Sequence, residues 1–450
     1  MSAGRVLIVG AGPCGLACGR QLTELDHRDH VLLESRAVPG GLASSVVDAN
    51  GFTWDRGGHV VFSHYGEFDR LLDVMGDDLE QHDRSSYVLV DGAFVPYPFQ
   101  NNLHHLPDDL AEEAIAGLIE AHLHRDEPAA GVDFESWMLA RFGSGIVRQF
   151  MAPYNEKVWA QPISTMSASW IAERVPVVGW RDALHNLVHR QDDPGWGPNN
   201  TFSFPATGGT GEIYRRAASL LADRIRYESP VRSVDPERRS VVTDHGVQTY
   251  DHLVWTGALD VLVELLTSAP DEVRDAAGEL VHNSVTVVGI GYASPLTDER
   301  SWLYFPDADI PFYRATNFAK YAAANVPGGR TDRYSSWMTE IASSPHRPLD
   351  PTDLGERVDS ALRAAGLVPS DADVATVHID HIERAYPVPT LTRDAALEVI
   401  QPWLMDRGIY ARGRFGAWRY ELGNMDHAVK MGIDVARLLV EGTPEEAFAR

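Results

Sequence analysis

Two groups of residues in this 450-residue sequence are spaced to do chemistry. In the first, Gly10, Gly12 and Gly15 fit G-x-G-x-x-G after the β-branched run Arg5-VLIV, and Glu34 follows at the end of His30-VLL. Glycines in that pattern allow a tight turn and a close approach of backbone to a pyrophosphate. The following helix N-terminus stabilises the phosphate charge, and the carboxylate takes a ribose hydroxyl. The second group is Gly413-RFGAWRYELGN, where Arg414 and Arg419 stand among Phe415, Trp418 and Tyr420. Guanidinium groups hold oxyanions through charge-assisted, often bidentate hydrogen bonds, so this stretch opens the option of a basic pocket in an acidic chain.

The first group extends further. After Glu34 comes Ser35-RAVPGGLASS, with the glycine pair Gly40 and Gly41, and then Asp55-RGGHVVF, with Gly57 and Gly58. An acid followed by a glycine pair resembles the FAD-binding signature of glutathione-reductase-like flavoproteins. Gly57 and Gly58 stand where a backbone must run close to a flavin ring; a plain hairpin turn is the alternative for that pair.

The chain that must place these residues is 450 residues long, enough for two or three domains. With 64 acidic and 39 basic residues the net charge is -25, which disfavours nucleic acid or an anionic membrane as partner. No apolar run reaches the length of a membrane span. Cys14 and Cys18, four apart on one helix, read as small buried residues of a reducing compartment, the cytoplasm. No metal site is expected.

The pattern predicts strands at 5–10 and 30–34 around a helix at about Gly15–Glu24. Residues 105–190 read as mostly helical. Apolar positions in Asp109–Leu123 recur at helical spacing with Asp109 and Glu112 as a capping pair, and further helical signals cover Phe134–Val158 and Ser164–Glu173. Thr201-FSFPATGGTGEIYRRAASLLADRI reads as strand, glycine turn and helix. Ser240–Thr243 and Val285–Tyr292 read as strands, and Asp426–Val440 as the last helix.

Phrases spread over residues 5–435 resemble one family closely: Gly40-GLASS, Gly57-GHVVFSHY, Val95-PYPFQNN, Ala152-PYNEKVWA, Trp196-GPN, Gly208-GTG, Trp302-LYFPDADIPFYRATNF, Tyr386-PVPTL and Gly413-RFGAWRYELGN. The chain is similar to the UDP-galactopyranose mutases, in their eukaryotic-type branch. That resemblance implies an α/β fold: a two-dinucleotide-binding-like FAD domain with a Rossmann-type parallel sheet, a helical domain and an antiparallel substrate-domain sheet. The expected boundaries are 1–75, 201–265 and 405–450 for the FAD domain, 105–200 for the helical domain with mobile flaps, and 76–104 with 266–404 for the sheet domain. It implies an isomerase in which N5 of reduced FAD attacks the anomeric carbon of a nucleotide sugar, with no net redox change. NADPH or NADH stays open as reductant, and so does an oligomer.

By family position Arg314 and Arg414 hold the diphosphate, and Tyr304, Tyr321, Tyr386 and Tyr420 hydrogen-bond the same phosphates. His59 belongs to the flavin-adjacent loop, and Asn424 opens a helix whose N-terminus faces the flavin. Tyr97, Phe99, Gln100, Phe150, Met151, Asn155 and Trp159 match the nucleobase end; without the resemblance, Phe99 and Phe150 would more often be core. Arg174 and Asn199 match residues of flaps over the substrate. Arg419 matches no such role and reads as a surface or ion-paired arginine.

Two positions depart from the family. Met425 stands where glutamine follows the Gly–Asn pair, and Thr207 where arginine is common. Methionine cannot replace an amide hydrogen bond. Together with a GC-rich composition (only three lysines, Lys157, Lys320 and Lys430), these departures keep other substrates open. UDP-galactose is the first candidate; a GDP-linked or other nucleotide sugar of natural-product (antibiotic) biosynthesis is the second. A true redox flavoenzyme, such as an amine oxidase or desaturase, and a non-catalytic sugar-nucleotide binder are the rival classes.

Overall fold

The computed structural model describes residues 4–124, 132–171, 175–193 and 200–448. Its centre is a five-stranded parallel sheet in the order Ile409–Ala411, His252–Trp255, Val6–Val9, His30–Leu33, Ile225–Arg226. The first strand, VLIV, is flanked by neighbours on both edges, in register Val6 with His252 and with His30. A strand buried on both faces has no polar side to show, which is why it reads as an unbroken apolar run.

Helix Pro13–Glu24 starts two residues earlier than the sequence suggested, because Pro13 fits the first turn, where no amide is needed. Its buried residues Leu16, Ala17, Cys18 and Leu22 join the core that also takes Val429, Ile433, Val435 and Ala436 from the terminal helix Met425–Glu441. Both cysteines are free and buried, and burial pushes the Cys14 thiol up to about 12.

A second, seven-stranded sheet runs Val374–Pro387, His282–Tyr292, Ser335–Ser343, Arg314–Asn317, Trp302–Tyr304, Ser86–Val90, Ala93–Pro96. It is antiparallel except where Trp302–Tyr304 pairs in parallel with Ser86–Val90. The register sets Tyr304 opposite Arg314 and Arg314 opposite Glu340, so three side chains from three strands lie in one row.

Helices Asp108–Leu123, Phe134–Ile146, Ala152–Trp159 and Trp180–His189 form a third layer over a core containing Phe99, Leu118, Phe134, Met138, Phe142 and Phe150. Lys157 ties this layer to the sheet: its Nζ donates to the carbonyls of Phe305, Asp307 and Ile310 at 2.7, 2.7 and 2.8 Å.

Several expectations change. Helix 108–123 is preceded by Pro107 and lacks the Asp109–Glu112 capping pair; the proline fixes the chain's entry instead. The run 134–158 breaks at Gly143, whose φ of 72° no other residue adopts easily, and passes through a π-helical turn at Val147–Met151. Gly143 is packed against Gly117, where a Cβ would stand 2.0 Å from a carbonyl oxygen. The described part of 164–173 holds no α-helix: the short turn Ile163–Thr165 leads into isolated bridges of Met166 with Thr390 and Ser167 with Asp133.

The expected domain limits also shift. Helices Asp271–Gly278 and Arg393–Met405 bury Val273, Ala396, Leu397, Ile400 and Leu404 against Leu7, Leu253 and Ile409, and so pack with the parallel sheet. Leu79–Asp83 pairs with Thr201–Pro205 rather than joining the large sheet. Among the described residues, no helix is long and apolar enough to cross a membrane.

Candidate active site

Two adjoining cavities lie between the layers. The first, about 420 Å3, is lined by Gly10, Gly12, Glu34, Gly41, Ser229, Trp255 and Gly413, among others. The second, about 600 Å3, is lined by Gly58, Arg84, Tyr97, Tyr304, Arg314, Tyr386 and Tyr420. They share Leu42, His59, Arg414, Gly423, Asn424 and Met425.

The first cavity is built from backbone. Gly10 has a φ of 103°, and a Cβ on Gly15 would stand 1.9 Å from the carbonyl oxygen of Gly10. Gly15 therefore permits the close packing of helix on strand, from behind the cavity. Gly40, at φ 105°, donates its N–H to Ala11 O at 2.8 Å and brings Gly41 up to Gly12. Gly12 opens the helix with no side-chain cap, so the first-turn amides face the cavity. The buried carboxylate of Glu34 accepts from Ala11 N at 2.7 Å and Arg36 N at 2.9 Å, which fixes it at the rim. Asn424 likewise precedes the 17-residue terminal helix without a side-chain cap.

These features fit FAD. Uncapped amides at Gly12 suit the pyrophosphate, Glu34 suits a ribose hydroxyl, and the shared residues suit the flavin ring. The ring nitrogen Nδ1 of His59 is buried without a partner among the described residues, as a group meant for a ligand would be. Burial and then the field of Arg414 lower the imidazole of His59 to about 3, outweighing Glu340, so its ring is neutral at pH 7. The His59 backbone N–H donates to Gly57 O at 2.8 Å.

The second cavity is built from side chains. Arg314 donates Nε and one Nη to Glu340 at 2.8 Å each, and Arg414 donates Nε to Gly423 O at 2.8 Å and packs 5.5 Å from the Tyr386 ring. Burial raises Tyr304, Tyr386 and Tyr97, so each hydroxyl keeps its proton and can donate to a phosphate oxygen. Trp302 Nε1 donates to Tyr304 OH at 2.6 Å and orients it.

Of the expected site residues, Arg314, Arg414, His59, Gly58, Asn424, Tyr97, Tyr304, Tyr386 and Tyr420 converge on the second cavity. Tyr321 does not. It is 1% exposed in an aromatic cluster with Phe202, Phe204 and Phe318, because the short helix Phe318–Tyr321 turns its ring back from the cleft.

The nucleobase set also lies mostly below the surface. Phe99, Phe150 and Met151 belong to the helical core, and Gln100 donates to Pro176 O at 2.7 Å. Asn155 donates to Met151 O at 2.8 Å, and Trp159 lies behind Tyr420, ring centroids 4.7 Å apart. These residues shape the floor beneath Tyr97 and Tyr304 instead of lining the cleft. Arg174 and Asn199 fall outside the described residues. Thr207 is exposed and lines neither cavity, whereas Met425 lines both. Arg419 bonds the carbonyl of Phe448 at 3.3 Å.

The structure adds residues that the motifs did not reveal. Glu340 is 1% exposed, and Arg84 lines the second cavity beside Tyr97. Asp426, also 1% exposed, accepts from the backbone N–H and Nδ1 of both His64 and His427 at 2.7 to 3.1 Å. Burial opposes its charge, yet the bonds from His427 and His64 hold it down to about 2. The signal for Glu340 was present: Ser335-SWMTEIAS is a strand whose single charge must find a buried partner.

A parallel sheet with a glycine turn, joined to a separate sheet across a flavin-sized cleft, defines an FAD-binding enzyme fold. The model of the flavin-containing amine oxidoreductases matches residues 13–440. A crystal structure of reduced UDP-galactopyranose mutase superimposes with a TM-score of 0.96 at 37% identity, covering 99% of this chain and 96% of that one. The chain therefore belongs to the flavin-containing amine oxidoreductase family and, within it, to the UDP-galactopyranose mutase-like enzymes.

Amine oxidase A of Equus caballus is 26% identical over 272 residues, 55% of this chain and 47% of that protein. The chain spans about half the length of the curated amine oxidases it matches. A putative protoporphyrinogen oxidase from Exiguobacterium sp. 255-15 shares the fold, with a TM-score of 0.74 at 17% identity, covering 97% of this chain and 98% of that one.

Proposed function

We propose that the protein is a flavin-dependent nucleotide-sugar pyranose/furanose mutase, with UDP-galactopyranose and UDP-galactofuranose as its first substrate pair. The carrying observation is that Arg314 and Arg414 face one cleft with Tyr304, Tyr386 and Tyr420, directly beside the cavity that suits the flavin. When bound and reduced, FAD supplies a nucleophilic nitrogen, N5, at the anomeric carbon, with no net redox change. Gly10, Gly12, Gly41 and Glu34 would hold the cofactor, with His59, Gly58 and Asn424 on the side toward the second cavity.

The work of the chain is positional and electrostatic. The two guanidinium groups and the tyrosine hydroxyls stabilise the diphosphate as it leaves and keep it in place until it returns. His59, uncharged, adds no further cation to those of Arg314 and Arg414. The clustered aromatics below Tyr97 support a base end of the cleft. An amine substrate, cationic at neutral pH, is poorly served by a cleft that offers Arg314 and Arg414, which argues against the redox rival despite the amine-oxidase relatives.

Met425, between the two cavities, keeps a GDP-linked or other nucleotide sugar as the alternative substrate. NADPH or NADH is the proposed reductant and the cytoplasm the proposed compartment. The test is anaerobic incubation with UDP-galactofuranose, with and without dithionite, followed by chromatography. Conversion only after reduction supports the proposal. No conversion in either state, with FAD bound and reducible, moves the substrate to the GDP- and dTDP-sugar panel; no conversion of any of these rejects mutase activity.

A further inference from the structure

Glu340 is a buried carboxylate in the wall of the second cavity, bonded to the loop that carries His59. It accepts from Gly58 N at 2.9 Å, from Tyr313 OH at 2.6 Å, and from Arg314 Nε and Nη at 2.8 Å each. Cross-strand register places it directly opposite Arg314. Gly58 is pressed onto the same pair: a Cβ there would lie 2.9 Å from Thr316 Oγ1, 3.1 Å from Glu340 Oε1 and 3.4 Å from the guanidinium carbon of Arg314. Burial alone would raise the Glu340 carboxyl, but Arg314, Tyr313 and the Gly58 N–H hold it below the ordinary range.

We infer that Glu340 is a positioning residue that ties the orientation of Arg314 to the Gly57–His59 loop and moderates the positive charge the cleft offers a diphosphate. The inference rests on the nucleotide-sugar reading only for the identity of that anion. Arg314 spends one edge of its fork on Glu340, so its remaining edge points in one direction. The carboxylate also offsets the charge of Arg314, one of four arginines (Arg56, Arg84, Arg314 and Arg414) that line the cavity. Attraction that is equal for bound substrate and transition state does not raise turnover, whereas a fixed donor direction does.

Removing the charge without the volume should therefore split binding from catalysis. In Glu340→Gln the single amide oxygen cannot accept from both Nε and Nη of Arg314, and the cleft becomes one unit more positive. UDP should bind about three- to tenfold more tightly, while kcat falls by about ten- to a hundredfold. A purely structural role would weaken both.

The experiment titrates UDP calorimetrically into FAD-loaded wild type, Glu340→Gln and Tyr313→Phe, and measures their turnover, with cofactor content read from flavin absorbance. Tyr313→Phe keeps the ion pair, and its UDP affinity should stay within about twofold, since one donor to a retained charge is lost. An unchanged or weaker affinity in folded, FAD-loaded Glu340→Gln overturns the inference, as does a Tyr313→Phe effect equal to it. If Glu340→Gln does not fold, Glu340→Asp keeps the charge but shortens the reach: near-normal UDP affinity with reduced kcat supports positioning, and normal kcat overturns it. If wild type binds neither UDP, GDP nor dTDP, the nucleotide reading fails by itself. Inorganic pyrophosphate then replaces UDP, and tighter binding by Glu340→Gln supports the role of Glu340 while equal or weaker binding rejects it.

Discussion

The two cavities sit side by side but are made of different material. Around Gly10–Gly15 the protein presents main-chain amides, and the side chains there matter mostly by being absent. Across the cleft, the row Tyr304–Arg314–Glu340 presents side chains whose direction comes from sheet register. A backbone-built site is intolerant where glycine packs on main chain, as at Gly15, whose added Cβ would meet the Gly10 carbonyl oxygen. A side-chain-built site can be changed one group at a time while the fold persists.

The strongest way to break this contrast is at Gly15. A valine there drives its Cβ toward the Gly10 carbonyl, 1.9 Å away, and should abolish FAD retention, read as loss of flavin absorbance after purification. A Gly15→Val protein with full FAD would refute the backbone-built account.

Arg314→Ala comes next. It should keep FAD and lower kcat/KM by about thirty- to a thousandfold, by analogy with lost oxyanion donors. Arg414→Ala should act in the same direction. Near-normal turnover in either variant removes it from the diphosphate clamp.

Met425→Gln sharpens the comparison, because this residue borders both cavities. A restored amide should shift relative kcat/KM across a nucleotide-sugar panel by about tenfold, the worth of one hydrogen bond. Unchanged ratios would take it out of substrate selection.

The smallest expected change is at His59. Its folded pKa of about 3 lies below the ordinary value near 6.5, so the folded ring stays neutral while the unfolded ring protonates. Its contribution to stability is intact above pH 6.5 and is lost as pH falls from there toward 3. Between pH 8 and 5 the His59 ring proton resonance should show no titration in the folded protein; a midpoint near 6.5 would contradict its burial.

The backbone-built half was legible because its information is local. Gly10, Gly12, Gly15, Glu34 and the two strands that flank them all lie within the first 34 residues, and the amphipathic helix 108–123 declares itself by its period. The side-chain half needed register. Nothing near Glu340 in the chain names Arg314 as its partner; only the pairing of Arg314–Asn317 with Ser335–Ser343 does. Tyr321 was misplaced for the same reason, since its cluster with Phe202 and Phe204 is a tertiary fact that its neighbours in sequence do not encode. The expected cap at Asp109 failed because Pro107 already sets the chain direction.

The parallel sheet has a further consequence for how the protein is made. Its edge strand Ile409–Ala411 pairs with His252–Trp255, which in turn borders Val6–Val9, and the terminal helix packs on Pro13–Glu24. A nascent chain that has threaded the glycine turn out of the ribosome still lacks Arg414 and Asn424. The flavin cavity is walled only once residues 409–441 have emerged, so cofactor loading follows their synthesis, after the intervening layers have had time to collapse.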